Sequence, residues 1–127
     1  MTYLLIAIGG ALGALGRYTA AGWVHAWAGD AYPWGTLVVN ILGSVVLGFF
    51  YRAAEALLVS PGTRAFVGIG FLGAFTTFST FSYETAALLQ DREWGAAALY
   101  SLGSVALGLA GAFLGFWLAS LALRTGG

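Results

Sequence analysis

One stretch of the chain carries most of its polar chemistry: Phe75-Thr76-Thr77-Phe78-Ser79-Thr80-Phe81-Ser82-Tyr83-Glu84-Thr85. Phe recurs at 75, 78 and 81, with Glu84 next in the series, and two hydroxyl-bearing residues separate each pair. A period of three suits neither an even α-helical stripe nor a strand. Asn40 is the only Asn in the chain, and Thr36 and Ser44 lie one helical turn to either side of it on the same face. Tyr100 and Ser104 repeat that spacing further on. These groups are hydroxyls and one amide, joined by Phe ring edges, the positive part of the ring quadrupole. Together they could replace the hydration shell of a small anion. The residue types alone define a pathway for a small solute or ion and do not name it.

Two ionisable residues, Arg17 and Glu84, fall within apolar surroundings, where an ionisable side chain is a functional candidate by default. The alternatives are that they pair with each other, or that each reaches for the nearer interface. The remaining charges read as solvated loop residues. Gly68-Ile69-Gly70-Phe71-Leu72-Gly73 matches a dinucleotide-binding pattern. It lies inside a long apolar run with no preceding strand, so the nucleotide reading is rejected. The absence of Cys excludes disulfides and thiolate chemistry, and the single His25 cannot build a zinc or bis-His haem site alone. Zero net charge and no Lys exclude a nucleic-acid binder.

The elements that must position these residues follow from composition. The 127 residues are 60% hydrophobic and 8% charged, against about 25% charged in an ordinary soluble domain. A soluble globule this small could not hide so much apolar surface. Four apolar runs, at 3–24, 34–51, 66–89 and 94–123, reach the ~18–20 residues that a bilayer span requires. The expected fold is therefore a single all-α integral membrane domain of four transmembrane helices across 1–127. The connections hold most of the charges and both prolines. A membrane barrel would need alternating residues and more strands. The first run lacks a basic leader region and is too long for a signal peptide.

The Thr-rich centre of the third run predicts a break in that helix, since Thr and Ser hydroxyls compete for backbone carbonyls. Non-helical backbone at membrane depth is tolerated only in protein or beside a water-filled cavity. Gly9 with Gly13, and Gly111 with Gly115, are small-residue pairs that let helices approach closely, and 20 Gly in all argue for a tightly crossed, oligomeric assembly. Arg52, Arg64 and Arg124 fall on one side of the membrane; Arg92 falls on the other, with Arg17 nearer that end. This weak bias leaves insertion in both orientations open.

The chain resembles the CrcB/Fluc fluoride channel family in three stretches. These are Gly9-Gly10-Ala11-Leu12-Gly13-Ala14 leading to Arg17-Tyr18, Gly35-Thr36-Leu37-Val38-Val39-Asn40 with Gly43-Ser44, and Gly70 through Phe81 ending in Glu84. The resemblance implies an antiparallel dual-topology homodimer with two fluoride pores, a third helix broken at its centre, and passive fluoride export that gives fluoride resistance. It further implies a multi-pass protein of a prokaryotic plasma or inner membrane. Phe78 and Phe81 match the paired pore phenylalanines, and Asn40 the pore asparagine, with Thr36, Thr77 and Thr80 as neighbouring donors. Arg17 matches the basic residue of the vestibule, and Glu84 a glutamate whose role the resemblance leaves open. The backbone carbonyls of Gly73 and Thr76 match those of a structural Na⁺ site on the dimer axis. On the fourth helix Tyr100 and Ser104 fit the start of a hydroxyl track, but Gly108 and Ala112 carry no donor.

Two rival classes share the architecture. A small multidrug-resistance-type proton antiporter needs a carboxylate in its first helix, and none lies between Tyr3 and Val24. A non-transporting membrane scaffold would show no ion flux.

Overall fold

The structure is a computed structural model and describes residues 1–125. It contains α1 (Thr2–Ala28), α2 (Trp34–Ala56), α3 (residues 61–75), α4 (Phe78–Gln90) and α5 (Trp94–Thr125), with no strand among the described residues. α3 and α4 together make one interrupted membrane-length segment, Pro61–Gln90, so four helical segments of 27, 23, 30 and 32 residues are long and apolar enough to cross a bilayer. At about 1.5 Å per residue each matches or exceeds a hydrocarbon core of ~30 Å.

The connections are closed by local chemistry. α1 ends at Gly29, whose φ of +86° is a left-handed conformation that glycine adopts without strain, and whose N–H donates to the His25 carbonyl at 2.8 Å. Ser60 caps α3, accepting from the Thr63 N–H at 3.2 Å, and Pro61 follows in the first-turn position where its missing N–H costs nothing. Arg64 donates to the carbonyls of Ala54 at 3.0 Å and Val59 at 3.3 Å. It therefore ties the start of α3 to the end of α2, and is more than a solvated loop charge.

α2 is the central helix. It packs against α1 on one side and α5 on the other, and buries Gly35, Thr36, Leu37, Val39, Gly43, Gly48 and Ala54. α1 also lies along α3, while α4 rests on α5. Large apolar side chains point outward, among them Leu12, Leu15, Leu99, Leu102 and Phe113, because lipid is as apolar as the interior and gives Leu no reason to turn inward. Close backbone approach replaces the usual side-chain core. A methyl group added at Gly9 or Gly13 would collide with the Phe66 or Phe71 carbonyl of α3. One added at Gly115 would strike the Val45 carbonyl of α2, and one at Gly48 the Ala112 carbonyl of α5. The small-residue pairs are thus intramolecular seams.

Within α3, residues Arg64–Leu72 form a nine-residue π-helix. This wider coil is rare and usually brief. Gly68 and Gly70 lie on it where a methyl would meet the Tyr51 hydroxyl at 2.7 Å and the Ile6 carbonyl at 2.8 Å, so bare backbone lets the broad helix nest between α1 and α2. The Gly-x-Gly-x-x-Gly run that resembled a nucleotide loop has this packing role.

Gly13→Ala and Gly115→Ala should each destabilise the fold by about 1–3 kcal/mol, because a backbone carbonyl cannot rotate aside as a side chain can. The effect is read as a lower unfolding temperature and loss of monodisperse protein in detergent. Gly22→Ala, whose methyl meets nothing within 4 Å, should leave both unchanged.

Candidate functional site

The interruption between α3 and α4 occupies two residues. Thr76 (φ −87°, ψ 154°) and Thr77 (φ −148°, ψ 123°) are both extended. Thr76 ends α3 through its own hydroxyl, which donates to the Leu72 carbonyl at 3.1 Å, the local competition that favours Thr at helix ends. Thr77 starts α4 as its N-cap: its hydroxyl oxygen accepts from the Thr80 N–H at 3.3 Å and donates to the Thr80 hydroxyl at 3.2 Å.

An extended residue at membrane depth needs partners for its own N–H and C=O. Asn40, on α2, supplies both. Its Oδ1 accepts from the Thr77 N–H at 2.8 Å, and its Nδ2 donates to the Thr77 carbonyl at 3.0 Å. The amide thus pairs with Thr77 as a neighbouring strand would. An Asn amide has two N–H donors, and the Thr77 carbonyl accounts for one. Ser44, one turn along, donates to the Asn40 carbonyl at 2.7 Å and so stays on the same face.

Around this clamp lie three cavities in succession. The middle one, of about 280 Å³, is bounded by Asn40, Ser44, Thr77, Phe78, Phe81 and Ser104. It shares Thr77 with a cavity of about 670 Å³ that reaches Arg17, His25, Thr36, Thr80 and Glu84. It shares Ser44 and Leu47 with a third, of about 770 Å³, that reaches Tyr51, Arg52 and Glu55. The series runs from the end of the molecule holding the α1–α2 connection to the end holding the α2–α3 connection, with the broken helix between.

Thr36 is buried and its hydroxyl donates to a Glu84 carboxylate oxygen across the α2–α4 gap. Arg17 does not pair with Glu84: its Nε donates to the Ala74 carbonyl at 3.1 Å, in the last turn of α3, where the carbonyl end of the helix dipole favours a cation. Phe78 and Phe81 stand 5.8 Å apart between ring centroids, and Phe78 is 78% exposed in the single chain. Phe81 in turn lies 5.2 Å from Tyr100. Tyr100 is fully buried behind that ring and borders none of the three cavities, whereas Ser104 borders the middle one. The hydroxyls of both are buried without a hydrogen-bond partner. Below Ser104 the wall continues through Val105 and Gly108, which offer no side-chain donor. Tyr32, in the α1–α2 connection, packs on Trp34 and Tyr100, and burial pushes its phenol above the ordinary range, keeping it neutral.

At the end of α3 the carbonyls of Leu72, Ala74 and Thr77 each accept a bond described above. Among the described residues no side chain or neighbouring helix donates to those of Gly73 and Thr76. Such carbonyls at a helix C-terminus suit a hard cation with oxygen ligands, although two from one chain are fewer than the ~6 such an ion takes. No group of three or more His, Asp or Glu that could hold a metal occurs among the described residues.

His25 was absent from the residues that the sequence singled out, because it reads as the start of a loop. The available signal is its spacing. Arg17, Ala21 and His25 recur every fourth residue, on one helical face, and all three line the same cavity.

The profile described as "CrcB-like protein, Camphor Resistance (CrcB)" matches residues 4–116. The fluoride-specific ion channel FluC of a Thermus thermophilus strain is 52% identical over 114 residues, covering 90% of this chain and 90% of that protein. The FluC of Geobacter sulfurreducens is 52% identical over 115 residues, covering 90% of this chain and 93% of that protein. The FluC of Magnetococcus marinus is 50% identical over 111 residues, covering 87% and 90%. With a profile match and half-identical relatives that extend from the first helix into the last, this chain belongs to the CrcB-like family of multi-pass membrane proteins.

Proposed function

We propose that this chain is a fluoride-selective channel that lets fluoride leave the cell passively, with no covalent step. The observation that carries the reading is the clamped interruption. It brings the Asn40 amide, hydroxyl side chains and the rings of Phe78 and Phe81 to the wall of a small cavity at membrane depth, between two larger cavities that reach opposite ends of the molecule. A small, strongly hydrated anion loses its water only where fixed donors replace it. The second Asn40 N–H, the Ser104 and Thr80 hydroxyls and the ring edges of Phe78 and Phe81 are such donors. Arg17 supplies the positive field that concentrates anions at one mouth. Thr36 is the partner that holds Glu84 in place, with Tyr100 supporting the Phe81 ring. The names of the relatives point to the same ion.

In this reading two copies insert antiparallel and complete two pores. The support is the exposure of Phe78 beside the break and the near-even split of Arg between the two ends. The same pairing brings the Gly73 and Thr76 carbonyls of both copies to one place. These four oxygens would hold a structural Na⁺ that ties the two interruptions together.

The test is efflux from liposomes loaded with fluoride or chloride, followed with ion-selective electrodes. Fluoride should leave and chloride should remain; equal efflux of both removes the fluoride-selective assignment, and no efflux of either removes it in favour of a scaffold. Asn40→Asp should lower fluoride flux by about tenfold or more, equivalent to ~1.4 kcal/mol of added barrier. It places a like charge in the path and replaces the donor to the Thr77 carbonyl with an acceptor. An Asn40→Asp variant that conducts like wild type would show that Asn40 does not line the path.

A further inference from the structure

We propose that His25 is a titratable charge at the mouth of the pathway, which when protonated adds to Arg17 in drawing fluoride in. The inference rests on the channel reading above and concerns a residue to which that reading assigns no part.

The imidazole is built into the entrance. Its side chain is 36% exposed, and it borders the cavity that also holds Arg17, Thr36, Thr80 and Glu84. The ring lies against the start of α2, where Gly35 leaves room for it: a methyl there would meet Nε2 at 2.9 Å. Nδ1 is buried and has no hydrogen-bond partner, the nearest acidic oxygen being Asp30 Oδ1 at 3.7 Å. A positive charge on this ring lies beside the same cavity as Arg17.

The charged and titratable groups around the ring come from each packed element. α1 itself contributes Arg17 and Tyr18, the α1–α2 connection Asp30, and α4 Tyr83 and Glu84. α2 presents no ionisable side chain there, only Thr36 and its own first turn. Glu84 is within electrostatic reach of the imidazole. Arg keeps its charge throughout, and an imidazole is the side chain whose ordinary charge change falls between about pH 5 and 8. Acidification across that window therefore raises the positive potential at this mouth and the local fluoride concentration, while salt screens the effect.

Single-channel currents in planar bilayers at symmetric fluoride test this, because neutral hydrogen fluoride carries no current. At low ionic strength, wild-type conductance should rise about two- to threefold from about pH 8.5 to about 5.5, and the rise should shrink at high salt. His25→Gln should remain at the wild-type alkaline value across the range. His25→Arg should remain at or above the acid value. A flat wild-type profile, an undiminished rise in His25→Gln, or a His25→Arg conductance that still falls with rising pH would each overturn the proposal. Absence of fluoride current in wild type at every pH would instead overturn the channel reading.

Discussion

The two hydrogen bonds between the Asn40 amide and the backbone of Thr77 are the constraint on which the site depends. An interrupted helix in a bilayer exposes peptide groups that lipid cannot satisfy, each at a cost of several kcal/mol. A helix that regains its missing bonds by straightening would lose the cavity. Asn40 removes that incentive. It offers a donor and an acceptor at the spacing of a peptide group, so the extended backbone of Thr77 is as well bonded as a helical one. Thr76 and Thr77 then close their own helix ends, and Phe78 and Phe81 take their directions from an α4 that begins where Thr77 caps it.

That clamp works only if α2 stays at a constant distance from the break. The helix is held on both flanks by seams of bare backbone, Gly48 and Gly115 towards α5, and through α3 by Gly9 and Gly13 of α1. Gly43 brings α2 against the break itself, since a methyl there would strike the Thr76 side chain. Packing and function are therefore not separable in this chain: the contacts that associate the helices also set the reach of a single amide. Arg17 adds a tether of its own, holding the Ala74 carbonyl one residue before the last position of α3.

Much of this was legible in the sequence because the bilayer imposes simple rules. Apolar run length identified membrane-length helices, and the Thr-rich centre of 75–85 identified a break. The helices nonetheless run past the apolar stretches: α1 continues to Ala28 and α2 to Ala56, since a helix can extend into the interface after hydrophobicity ends. Three features were beyond reach. The bonding partner of Asn40 lies 37 residues away and is backbone, which carries no side-chain signature. The π-helical winding of 64–72 depends on the shape of the groove between α1 and α2, and no residue type encodes that shape. Arg17 and Glu84 share a cavity without pairing, because nearer partners, the Ala74 carbonyl and the Thr36 hydroxyl, engage them first. The resemblance in three stretches pointed to Arg17, Asn40 and Glu84 together, but it did not describe their contacts.

The glycine seams have a consequence for how such a chain can change. At Gly13 and Gly115 the residue is already the smallest that translation can supply, and its neighbour is a main-chain carbonyl with no side chain to trim. Every substitution there adds volume, and no exchange on the facing helix can give it back. Stepwise drift at these positions is therefore one-way and uncompensated. Sequence freedom is displaced onto the lipid-facing Leu and Phe surface, where the surrounding medium deforms to accept whatever shape it meets.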